Sequence, residues 1–101
     1  MRRIPVSAPR EFAASSGGDY DAHVAWDAVE RLLAEMIIAQ DAKLLALARQ
    51  IVARLTPEDL RNPQDFPPLM ESAEFNYEDG VLAGLRAAEM AVRAARRREE
   101  K

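Results

Sequence analysis

Residues 20–55 read YDAHVAWDAVERLLAEMIIAQDAKLLALARQIVARL, and the reading of this stretch decides the fold. It contains neither glycine nor proline. Ala22, Trp26, Val29, Leu33, Met36, Ile37, Leu44, Leu47, Ile51 and Leu55 recur at steps of three and four, apart from a gap at 40. That is the period of an α-helix. The spacing predicts one helix over 20–55, a rod of roughly 50 Å at 1.5 Å rise per residue. Asp19 or Asp21 is expected to cap its start. Val24, Ile38, Leu45 and Val52, seven or fourteen residues apart, align on the opposite side. A helix apolar on two sides is normally covered on two sides. Ile38, Leu45 and Val52 are therefore expected at an oligomer interface, unless the following segment folds back over them. Gln40 interrupts the main stripe and needs a polar partner there. A two-fold axis would supply a second Gln40 and fix register; backbone of residues 56–76 is the alternative.

Working outward, prolines fall at 5, 9, 57, 63, 67 and 68, so two long stretches are free of them. Residues 56–76 form the connection. Thr56-Pro57-Glu58-Asp59 is a helix-start signal, with threonine as N-cap, proline in the first position and an acid in the third. It predicts a helical turn through about Arg61. Asn62-Pro63-Gln64-Asp65 repeats the logic more weakly. Phe66, Leu69, Met70 and Phe75 are expected to pin this segment to the core. Asn76 is the expected N-cap of a second helix over 77–98, with acids at 78 and 79 suiting the positive end of its dipole. Arg96, Arg97 and Arg98 suit its negative end.

One face of this second helix carries Gly80, Gly84, Ala87, Ala88, Ala91 and Ala95. Glycine inside a helix costs about 1 kcal/mol relative to alanine. Gly80, Gly84, Ala88 and Ala91 are therefore expected to form the helix-packing surface, receiving large side chains such as Trp26. The second helix is the shorter, so an antiparallel hairpin leaves part of the first uncovered. That mismatch and the second apolar row favour a dimeric four-helix assembly. Residues 1–18, with two prolines and the run Ser15-Ser16-Gly17-Gly18, read as a flexible N-terminal arm, leaving 19–101 as one helical domain.

Composition agrees with this reading and narrows function. The 101 residues include 19 alanines against 11 β-branched residues, which favours helix. Hydrophobic residues make up 49% and charged residues 31%, a globular balance. No cysteine is present, which excludes a disulfide scaffold, a thiolate metal site and a cysteine nucleophile. A single histidine and a single threonine make a nucleophile–base pair hard to assemble. No apolar run is long enough for a membrane span and the N-terminus lacks a secretory signal pattern, so a cytoplasmic location is expected.

Two constellations suggest chemistry. His23, Asp27 and Glu30 stand at i, i+4, i+7, so they share a helical face, and imidazole with two carboxylates suits Zn, Mn or Fe. Arg96, Arg97 and Arg98 form a basic cluster of the kind that contacts phosphates, although the chain as a whole carries a net charge of −3. The connection is acidic, with seven acids in residues 56–79 against Arg61 alone, but lacks the spacing of a calcium loop. The expected protein is all-α, non-catalytic and without cofactor: a homo-oligomeric interaction or accessory protein. A metal-binding helical protein and a nucleic-acid accessory factor are the alternatives.

Overall fold

The computed structural model describes residues 19–100, with side chains from Ala22 onward. The arm read over 1–18, and the caps expected from Asp19 and Asp21, lie outside what is described. Helix α1 runs Asp19–Ile51, α2 Pro57–Leu60 and α3 Pro67–Met70, with a 3-10 turn at Pro63–Asp65 between them; α4 runs Ala73–Glu99. Among the described residues no strand occurs. The long helices α1 and α4 form an antiparallel hairpin: Gln40 meets Glu78 near one end, and Asp27 meets Arg96 near the other.

Helix α1 stops at Ile51 rather than running to Leu55. Arg54 adopts a left-handed backbone, φ 67°, which costs a non-glycine residue roughly 1–2 kcal/mol. The turn places Leu55 in the core at 1% exposure. Burying a leucine is worth about 1.5–3 kcal/mol, enough to offset the strained residue. Arg49 Nε donates to the Leu55 carbonyl at 2.7 Å and ties the turn to the preceding helix.

The connection follows its local signals. Asp59 N donates to Thr56 Oγ1 at 3.0 Å and Thr56 N donates to Asp59 Oδ2 at 3.1 Å, a complete capping box. Leu69 and Phe75 are buried, and Phe66 packs against them half-buried. Met70, expected in the core, is instead exposed. Helix α4 begins at Ala73, four residues before the expected start. Ser72 is its N-cap, its Oγ accepting from Phe75 N at 3.1 Å. Asn76 does not cap; its side-chain amide donates to the Met70 carbonyl at 2.9 Å.

The buried core consists of Leu44, Ala48, Leu55, Leu69, Phe75 and Leu82, all where the connection crosses the two long helices. This overturns the expected packing surface of α4. Phe75 and Leu82, seven residues apart, face α1, whereas Gly80, Gly84, Ala88 and Ala91 are exposed. A Cβ built on Gly80 or Gly84 meets nothing within 4 Å. The physical reason is area. Burial gains roughly 25 cal/mol per Å² of apolar surface, so a single chain turns its large side chains inward. A Gly/Ala stripe has little area to contribute.

Candidate functional site

The second apolar row does not stand free as expected. Leu45 and Val52 lie half-buried against the core under the connection, while Val24 and Ile38 remain exposed at 47% and 69%. Gln40 finds its partner within the chain: Nε2 donates to the Glu78 carbonyl at 3.0 Å and to Glu78 Oε1 at 2.8 Å. Lys43 Nζ lies 3.2 Å from Glu78 Oε2. The Gln40 bond first, and Lys43 second, hold the Glu78 carboxyl below its usual pKa. This partner is not legible in the sequence, where residue 78 reads as an acid suiting the positive end of a helix dipole.

The two polar constellations meet at one residue. Arg96 Nη1 donates to Asp27 Oδ1 at 2.8 Å and lies 3.4 Å from Glu30 Oε2. Its Nε donates to Glu100 Oε2 at 2.8 Å, and its Nη2 lies 2.9 Å from His23 Nδ1. The hydrogen bonds to Glu100 and then Asp27 hold the guanidinium above its ordinary pKa, so it stays charged. His23, Asp27 and Glu30 do converge, as their spacing implies, but around a cation supplied by α4. No group of three metal-ligating side chains forms among the described residues. Arg96 is also taken out of the basic cluster, leaving Arg97 and Arg98 exposed.

A cleft of about 360 Å³ opens between α1, the connection and α4. Leu44, Leu45, Leu60 and Leu82 line it, with Asp41 and Arg86 4.0 Å apart among its polar residues. It lies on the side of the hairpin crossed by the connection, whereas Tyr77 is 70% exposed elsewhere on α4.

The opposite side of the hairpin, marked by Gln40, Lys43 and Glu78, is different in kind. Continuing it along both helices at steps of three, four and seven passes Trp26, Val29, Leu33 and Met36 on α1. On α4 it passes Val81, Leu85, Ala88, Val92 and Ala95. Met36 and Ala88 are exposed and the other seven half-buried. Helical projection places no charged residue on this side between 22 and 39 of α1 or between 81 and 95 of α4. Asp27, Glu30, Arg31, Glu35, Arg86, Glu89 and Arg93 all project toward the other helix, the connection side or outward. In the sequence the α1 members fall in the main stripe, and Val81, Leu85 and Val92 lie beside the Gly/Ala face. What the sequence does not show is that the hairpin joins these two rows into one surface.

No protein-family model matches the chain, and no curated protein or solved structure matches it either. Among the described residues no helix is long and apolar enough to cross a membrane.

Proposed function

We propose that the chain is a small non-catalytic interaction protein that works as a homo-oligomer, with the uncharged back of the hairpin as its binding surface. One observation carries this reading: among the described residues, the back of the hairpin carries apolar side chains from both helices along 22–39 of α1 and 81–95 of α4, none of them fully buried and no charged residue among them. Contiguous exposed apolar surface rimmed by polar residues marks interaction sites in soluble proteins. The polar cluster at Arg96 supports a structural role for His23, Asp27 and Glu30, because the guanidinium already occupies the space between them.

The test is native mass spectrometry and sedimentation of the untagged chain across a concentration series. An oligomer that dissociates on dilution is expected. Met36→Glu places a charge on the back surface at a position already 43% exposed, so the folded monomer should tolerate it. It should shift the assembly to monomer with helical content unchanged. A chain that assembles equally well with Met36→Glu would rule out this surface.

A further inference from the structure

The back surface has a bulky half and a small half. The bulky half is on α1: Trp26, Val29, Leu33 and Met36. On α4, Val81, Leu85 and Val92 lie toward the groove between the helices, and the flank beyond them is small, with Ala88 and Ala95 beside Gly84 and Ala91. The inter-helix contacts Asp27–Arg96 and Asp41–Arg86 set the levels of the two rows, so Leu33 stands beside Ala88 in its own chain. Taking the reading of this surface as a binding site, we infer that its occupant is a second copy, related by a two-fold axis parallel to the helices. In that arrangement α1 of each copy lies on α4 of the other.

Three features of the chain point to this arrangement. First, domains are normally built from at least two packed layers around one core. Among the described residues, the half of the hairpin away from the connection is a single layer with no buried side chain. Second, a two-fold interface joins a patch to itself, so the patch must be self-complementary. A two-fold parallel to the helices sets bulky on small twice; a two-fold across the helices sets bulky on bulky and small on small. Third, rotation about an axis parallel to the helices leaves every residue at its own level. Leu33 of one copy therefore arrives beside Ala88 of the other without any choice of register. All adjacent helices are then antiparallel, as in an up-down four-helix bundle.

Size agrees as well. Two helices about 10 Å wide with an uncharged length of about 22 Å present roughly 450 Å² in projection. A ridged surface buries more than its projection, which brings this one toward the ~800 Å² per partner of a standard interface. The Gly/Ala stripe also acquires a purpose. Glycine at 84 costs helix stability within one chain, where a Cβ in its place would meet nothing within 4 Å. In the dimer it lets a bulky neighbour approach the α4 backbone.

The experiment uses the full chain, whose lack of cysteine makes single thiols clean reporters. Leu33→Cys and Ala88→Cys proteins, one carrying a mass tag, are mixed and treated with a short bis-maleimide. This reagent spans the 8–10 Å between packed helices, roughly, where a direct disulfide does not reach. The mixed Leu33–Ala88 product should exceed either same-variant product by at least tenfold. Gly84→Leu in the cysteine-free chain should weaken the dimer by tenfold or more while the monomer keeps its helicity. Same-variant products equal to or above the mixed one would overturn the arrangement while leaving a dimer in place. A chain that stays monomeric at every concentration would overturn the second copy as occupant. That result would leave the surface to a different protein or to residues 1–18 of the chain itself.

Discussion

At the end of the hairpin crossed by the connection, Leu44, Ala48, Leu55, Leu69, Phe75 and Leu82 are all buried. Toward the other end the same two helices continue, through residues 22–38 of α1 and 86–100 of α4, and bury no side chain. The apolar content of α1 is comparable at both ends; the surroundings differ. Where α2, α3 and their turns lie across the pair, side chains have neighbours on three sides. Where they do not, Trp26, Val29, Leu33 and Val92 are half-covered, and an ion cluster at Arg96 fastens the helices together. Two helices side by side make a layer, and a layer needs something laid on it before it has a core.

The largest expected effect lies at the crossed end. Phe75→Ala removes a fully buried ring and should cost about 3–5 kcal/mol, read as a lower urea midpoint in chemical denaturation. A loss under about 1 kcal/mol, the range of ordinary exposed positions, would show that this end is not where stability resides. The next effect is opposite in sign. Gly84→Ala fills open space in one chain and should stabilise the monomer by about 1 kcal/mol through helix propensity. Destabilisation measured at monomeric concentrations would mean that the outer side of α4 is packed within a single chain.

Two smaller effects concern polar contacts. The Glu78 carboxyl is held below its usual pKa, so it stabilises the fold above the ordinary carboxylate range. That contribution is lost as pH falls through the lowered value. Gln40→Ala removes the main cause of the lowering and should flatten the acid side of the stability–pH curve, followed by thermal melts from pH 7 down to about 3. Arg96→Ala dismantles the cluster at the uncovered end. Hydrogen exchange should quicken for amides near 23–30 and 92–100, with those of Leu44–Ile51 unchanged. Uniform quickening along both helices would show that the two ends unfold as one unit and would weaken the contrast between them.

Much of the fold was legible in the residues. The period of α1, the proline-marked turns and the Thr56 capping box depend on neighbours within a few positions, and each is present, although α1 ends at Ile51 and Met70 is exposed. The start of α4 was misplaced because Asn76 and Ser72 both suit an N-cap, and the choice fell to which start buries Phe75. The convergence of His23, Asp27 and Glu30 was legible from spacing alone. Its meaning was not, because Arg96 enters from 66 or more positions away along the chain. The back surface was half-legible: each helix shows its row, but only the hairpin sets the two rows side by side.

The sequence by itself determined that this chain makes two long helices joined by capped turns, since helix period, proline placement and caps are local properties. Only the tertiary structure decided which side of α4 meets α1, because that choice compares the areas that alternative faces bury against a distant partner. The competition went to Phe75 and Leu82, and the glycines and alanines were left outside. The same rotation left the back of the hairpin without a charged residue between 22 and 39 of α1 and between 81 and 95 of α4.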